Sequence, residues 1–187
     1  NIQTSIDQIK KWGPLAVPIS INLSAQDLRQ YTLVDRVEKA LKEADISPSL
    51  LEFEITETAI ITNQTVAKEI LTNLSDMGIA LSIDDFGAGY TSLGLLRKLP
   101  IHSIKLDRSL IHDLKTDQGI RFTALALIDL SHHIGLTVIA EGVEDSETTE
   151  LLIIGGCDFG QGYFFGYPMT PKEITPLLEK RLEQQKK

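Results

Sequence analysis

Asp84 and Asp85 stand side by side where the apolar run Ile79-Ala80-Leu81-Ser82-Ile83 stops and the glycine-bearing stretch Phe86-Gly87-Ala88-Gly89-Tyr90 begins. Paired carboxylates at the end of a strand are hard oxygen donors, the ligand type that divalent cations take. Other apolar runs end in comparable groups: Asn22, Glu54 with Glu57, Lys105 with Asp107, and Glu141 with Glu144. An amide oxygen at Asn22 with carboxylates at Glu54, Asp84 and Asp85 suits magnesium or manganese rather than zinc. No Cys or His cluster competes, because His102, His112, His132 and His133 lack ligand spacing and Cys157 is the one cysteine.

These residue types define a chemistry. Two ions sharing a carboxylate, roughly 3.5–4 Å apart, clamp a phosphodiester for in-line attack. Asp84 and Asp85 have opposite parity if the strand runs through them, so one would reach a metal from the strand and the other from the loop. Lys105 among acids can polarise a water or steady a phosphate oxygen, the alternative being an ion pair with Asp107, which shares its parity. Glu141 can bind metal or accept a proton from the attacking water. Glu57 and Glu144 read as loop supports that cap backbone N–H groups. Gly87 and Gly89, followed by Thr91 and Ser92, shape a tight loop able to hold Asp85, and Gln161 lies in Gly160-Gln161-Gly162-Tyr163 as a ligand contact or part of a bulged strand.

Such groups need strands to carry them. Six apolar runs, Leu15–Asn22, Leu51–Glu57, Ile79–Ile83, Ser103–Leu106, Thr137–Ala140 and Phe159–Phe164, alternate with amphipathic stretches over Gln26–Glu43, Val66–Met77, Arg121–Ile134, Ser146–Ile154 and Ile174–Leu182. That alternation predicts parallel strands with crossover helices. Glu52 and Glu54 share one parity, Phe53 and Ile55 the other, so acids and an apolar layer should lie on opposite faces. In an open doubly wound sheet the function gathers at one switch point, whereas in a β/α barrel many strand ends converge on one mouth. Chemistry at nearly every strand end favours the barrel. A barrel usually has eight strands and about 250 residues, so this chain supplies about six β/α units and is about two strands short.

The first residue is Asn1 rather than methionine, and a helix-like pattern of Ile2, Ile6, Ile9 and Trp12 begins at once. The expectation is therefore one domain over residues 1–187, truncated at its N-terminus, with the remaining strands upstream. Its 187 residues are 42% hydrophobic, enough for a substantial core. The net charge of −8 argues against polymeric nucleic acid or an anionic membrane as partner, so an anionic ligand needs a local device such as a divalent metal. The lone Cys157 reads as a small packed residue in a reducing compartment. No apolar stretch spans a bilayer and no signal pattern opens the chain, which points to the cytoplasm for this segment whether or not the parent protein is membrane-anchored. Trp12 reads as a core anchor, Tyr163, Phe164 and Phe165 as packing beneath the last helix, and Lys186 and Lys187 as a frayed terminus.

The ordered motifs Asn22-Leu23-Ser24, Glu54-Ile55-Thr56-Glu57, Asp84-Asp85-Phe86-Gly87-Ala88-Gly89-Tyr90-Thr91-Ser92-Leu93, Ile104-Lys105-Leu106-Asp107-Arg108, Ala140-Glu141-Gly142-Val143-Glu144 and Gln161-Gly162-Tyr163 resemble the signature of the EAL domain, a bacterial cyclic di-GMP phosphodiesterase. The resemblance covers nearly the whole chain. It implies a TIM-like (β/α)8 barrel, a two-metal site of magnesium or manganese, and hydrolysis of cyclic di-GMP to linear pGpG. By motif position it implies that Asn22, Glu54, Asp84 and Asp85 hold metal, that Lys105 positions the nucleophilic water, and that Glu141 binds metal or water. Glu57 would then hold the loop after Asp84, with Asp107, Glu144 and Gln161 in support or in contact with substrate. Ala88 and Thr91 stand where the family often has Thr and Ser. The Glu-Ala-Leu tripeptide that names the family is absent, and Glu38-Lys39-Ala40-Leu41, mid-helix and after the Asn22 strand, does not replace it. An excerpt that starts downstream of that ligand would be inactive alone, and a degenerate relative would be a receptor or signalling module that binds without cleaving. Sensory or GGDEF-type domains in a longer parent, and a homodimer, fit the same resemblance. An enolase-type barrel also gathers Lys and acids around magnesium, but requires neither the Asp84-Asp85 pair nor Asn22.

Overall fold

The computed structural model describes residues 1–61, 64–87 and 93–185. Ala88, Gly89, Thr91 and Ser92 of the loop after Asp85, and the terminal Lys186 and Lys187, lie outside the described residues. Six strands, β1 (Ile19–Leu23), β2 (Leu51–Thr56), β3 (Ala80–Phe86), β4 (Ser103–Leu106), β5 (Thr137–Glu141) and β6 (Phe159–Gln161), form one parallel sheet in the order of the chain. The intervening helices are α1 (Ile2–Trp12), α2 (Thr32–Ala44), α3 (Glu57–Ile61), α4 (Gln64–Asp76), α5 (Leu93–Leu96), α6 (Arg108–His112), α7 (Gln118–His133), α8 (Ser146–Ile154) and α9 (Pro171–Gln185).

Sequential strand order is the informative part of the topology. Parallel crossovers are right-handed, so steps taken always in one direction put every crossover helix on the same face. A doubly wound sheet instead reverses direction at its switch point. The helix-covered face buries Ile21, Leu23, Phe53, Ile55, Leu81, Ile83, Ile104, Leu106, Val138 and Ala140 against Ile6 and Ile9 of α1, Leu33 and Val37 of α2, Ile70 and Leu74 of α4, and Ala124 and Ile128 of α7. Each large aliphatic side chain buried this way contributes about 1.5–3 kcal/mol, and truncating Phe53 to Ala would cost about 3–5 kcal/mol. The other face carries Ser20, Asn22, Glu52, Glu54, Ser82, Asp84, Ser103, Lys105 and Glu141, as the alternation of Glu52 and Glu54 with Phe53 and Ile55 predicts.

Several boundaries differ from the sequence reading, each for a local reason. Leu15 closes a short 3-10 turn, Gly13–Leu15, and β1 starts only after Pro18, which lacks the N–H a strand interior needs. β6 stops at Gln161, because Gly162 to Phe165 turn back over Val143 through the bonds Val143 N–H to Gln161 O and Phe164 N–H to Val143 O. Tyr163, Phe164 and Phe165 are consequently exposed rather than packed beneath α9. Trp12 is half-buried and donates from Nε1 to Thr175 Oγ1 at 3.0 Å, tying α9 to the end of α1. Cys157 is a free thiol packed at the edge of the core, and burial pushes its pKa up.

Candidate active site

All six strands point the same way, so their C-terminal ends make one rim. Register places Asn22 opposite Glu54, Thr56 opposite Asp84, and Glu141 opposite Gln161. At the centre lies Lys105, only 4% exposed. Its Nζ is 2.6 Å from Glu141 Oε1, 3.0 Å from Glu54 Oε1 and 3.4 Å from Asp84 Oδ1. Burial pulls the lysine pKa down, but the hydrogen bonds it donates to Glu141 and Glu54 outweigh that and leave the ammonium ionised well above its ordinary range. Lys105 therefore pairs with acids on β2, β3 and β5 and not with Asp107.

β3 runs on through Asp84 and Asp85 to Phe86, three residues beyond the apolar run. Strict alternation would send the two carboxylates to opposite faces, yet Asp85 has φ +54°, in the left-handed region, and the pairing with β4 shifts between Ile83 and Phe86. This irregularity turns Asp85 back toward its neighbour. Asp84, Asp85 and Glu141 each bring one carboxylate oxygen within 4.8 Å of the others. Asp84 is half-buried and also receives the Asp85 N–H at 3.1 Å. Burial and then the adjacent Asp84 charge raise the Asp85 pKa, and burial raises that of Glu141 against the pull of Lys105. Oxygen donors alone, brought this close together, fit a divalent cation of the magnesium or manganese type.

The flanking groups fix the rim. Glu57 opens α3, is 5% exposed, and accepts the Gly87 N–H at 3.2 Å, so it holds the described start of the loop after Asp85. Asp107 caps α6 by accepting from Ser109 N at 2.8 Å and from the Ser109 hydroxyl, which keeps its carboxyl below the ordinary range. Glu144 pairs with Arg108 Nη2 at 2.5 Å. Asn22 and Gln161 are exposed at the two sides of the rim. Below the cluster, Glu52 accepts from Ser20 Oγ at 3.1 Å and Ser103 Oγ at 3.4 Å. Ser82 Oγ, buried next to this layer, has no hydrogen-bond partner among the described residues. Spacing along the chain singles out neither Arg108 nor Ser82. Arg108 follows Asp107 directly, and that adjacency was the available signal.

The sequence matches the EAL domain over residues 2–168. Cyclic di-GMP phosphodiesterase PA2567 of Pseudomonas aeruginosa is 33% identical over 96% of this chain, which spans 31% of that protein's length. Among solved structures, the PaMucR phosphodiesterase in complex with c-di-GMP is 35% identical with a TM-score of 0.87, over 92% of this chain and 71% of that one. Klebsiella pneumoniae BlrP1 in a manganese/cy-diGMP complex is 29% identical with a TM-score of 0.83, over 90% of this chain and 43% of that one. On the match over residues 2–168, with the sequential parallel sheet and the strand-end acids beneath it, this chain belongs to the EAL domain family, whose TIM-like barrel it supplies with six of its strands.

Proposed function

We propose that this chain carries the catalytic face of a phosphodiesterase that hydrolyses cyclic di-GMP to linear pGpG in bacterial second-messenger signalling. The observation that carries the reading is the strand-end cluster in which Asp84, Asp85 and Glu141 converge while Lys105 bridges Glu141, Glu54 and Asp84. Asn22, Glu54, Asp84, Asp85 and Glu141 would hold one or two divalent ions of the magnesium or manganese type, which would supply Lewis-acid polarisation of the phosphoryl oxygen and a more acidic water. Lys105, ionised and immobilised, orients the water and keeps the acids from repelling one another apart. Glu141, whose pKa is raised, is placed to take a proton from the water. The water oxygen forms a new bond to phosphorus, the bond from phosphorus to the 3′ oxygen breaks, and that oxygen leaves with a proton, giving a 5′-phosphate on pGpG. Glu57, Asp107, Glu144 and Gln161 hold the surrounding loops or touch the nucleotide.

Because this chain spans a minority of PA2567, sensory or GGDEF-type neighbours and a homodimer belong to the proposal for the whole protein. No helix of the described residues is long and apolar enough to cross a membrane. The test is chromatography of nucleotides after incubating cyclic di-GMP with the purified protein in its native flanking sequence. Magnesium or manganese should yield pGpG, and calcium should inhibit, because its longer and looser coordination misplaces the water. Binding without pGpG under either metal would identify a receptor of the same fold.

A further inference from the structure

The substrate proposed above carries two phosphodiesters, one attacked and one only held, and the held phosphate needs its own cation in an acidic mouth. Lys105 sits at the reacting end instead, buried among Glu54, Asp84 and Glu141 at 3.4 Å or less. Lys115 is committed to Asp145 at 2.7 Å and lies near Glu147 at 3.9 Å. Arg108 is differently placed. It follows Asp107, which touches Asp85, and its stem lies across Gly142, the residue after Glu141. Gly142 adopts φ +71°, and a Cβ there would stand 2.5 Å from Arg108 Cγ, so this glycine leaves the room in which the stem lies flat. The stem thus crosses the loop after β5 next to Glu141, and the guanidinium meets Glu144 there.

We infer that Arg108 is the specificity-determining cation of this mouth, exchanging Glu144 for the non-scissile phosphate of a cyclic dinucleotide; the inference rests on the phosphodiesterase reading. The Arg108 and Glu144 side chains are 61% and 44% exposed and share a single Nη2 to Oε1 contact. An exposed pair of that kind holds weakly. A guanidinium offers five N–H donors in a fork that matches phosphate, so a phosphate arriving beside it is the better partner. Glu144 then serves as a placeholder that keeps the fork aimed at the rim while no nucleotide is bound.

The experiment compares cyclic di-GMP with bis(p-nitrophenyl) phosphate, which has one phosphodiester and no second phosphate to hold, in the protein with its native flanking sequence. Arg108→Ala should lower the ratio of kcat/KM for cyclic di-GMP to that for the single phosphodiester by about tenfold, mainly through KM. It should weaken cyclic di-GMP binding, measured calorimetrically with calcium, by a similar factor. Arg108→Lys, which keeps the charge and loses the fork, should fall between the two. An unchanged ratio and unchanged affinity in Arg108→Ala would overturn the inference while leaving the phosphodiesterase reading intact. A wild-type protein that cleaves the single phosphodiester but neither binds nor cleaves cyclic di-GMP would overturn that reading and the inference with it. If Arg108→Ala does not fold, the Arg108→Lys ratio decides, and a wild-type ratio there counts against the fork.

Discussion

Lys105 is the residue on which the cluster turns. Breaking a buried ion pair by removing one partner costs about 3–5 kcal/mol, because the charge left behind is neither solvated nor neutralised. Lys105→Ala would leave Glu54, Asp84 and Glu141 facing one another. The metal-free protein should therefore lose about 3 kcal/mol in denaturant unfolding, and manganese should raise its Tm more than it raises the wild-type Tm. In turnover, kcat should fall more than nucleotide affinity if the lysine orients water, and the reverse split would reassign it to phosphate binding. Asp84→Asn separates ligand from support. It should abolish metal-dependent turnover, a larger loss than the roughly 10- to 100-fold of an outer-shell change. His132→Ala should leave turnover near the wild-type rate, because His132 pairs with Asp158, which accepts the Val138 N–H at the far end of β5. Equal losses in the two variants would place the site elsewhere.

Two local backbone devices set the element ends. A left-handed conformation costs an ordinary L-residue about 1–2 kcal/mol, and Asp and Asn bear it best. Asp85 has that conformation inside β3. Asp85→Asn should fold as stably as the wild type while weakening metal binding, whereas Asp85→Val should lose metal binding and about 1–2 kcal/mol of stability. Equal unfolding midpoints for the two variants would remove the backbone from the explanation. At the start of α8, Asp145 accepts the Thr148 N–H and pairs with Lys115, and the lysine holds its carboxyl down to about 2 from an ordinary 3.8. A depressed folded-state pKa means a contribution complete above the unfolded value and lost as pH falls through the folded one. Stability should thus decline between about pH 4 and pH 2, and Asp145→Asn should flatten that part of an acid titration followed by circular dichroism.

The whole sheet ends in two edges. β1 and β6 are the outer strands of the sequential order, and each presents unpaired N–H and C=O groups on its outer side among the described residues. Beside β6 the surface is also apolar, with Ile153, Ile154, Phe159, Phe165 and Tyr167 exposed. Exposed edges and large apolar patches invite pairing with other chains. Residues 1–187 expressed alone should therefore associate, seen as a high and concentration-dependent mass in light scattering, and should show little turnover. The same residues in their native flanking sequence should be monodisperse and active. A monodisperse, fully active polypeptide of residues 1–187 would show that neither edge needs a cover.

The period of the apolar residues and the chemistry of the strand-end groups are local properties, and they were legible in the sequence. Alternation in Glu52-Phe53-Glu54-Ile55 sorts acids from core without any knowledge of the neighbours, and β4 and α8 begin and end where the pattern says. Tertiary structure alone decided which groups meet. The partners of Lys105 depend on register between β2, β3, β4 and β5, strands far apart along the chain, so its commitment to Glu54, Asp84 and Glu141 rather than the nearby Asp107 is invisible to spacing. The convergence of Asp84 and Asp85 hangs on one backbone angle, which overturns the parity that a regular strand would impose. Arg108 acquired its place at the rim only when β4 and β5 lay side by side and a glycine opposite its stem left the space.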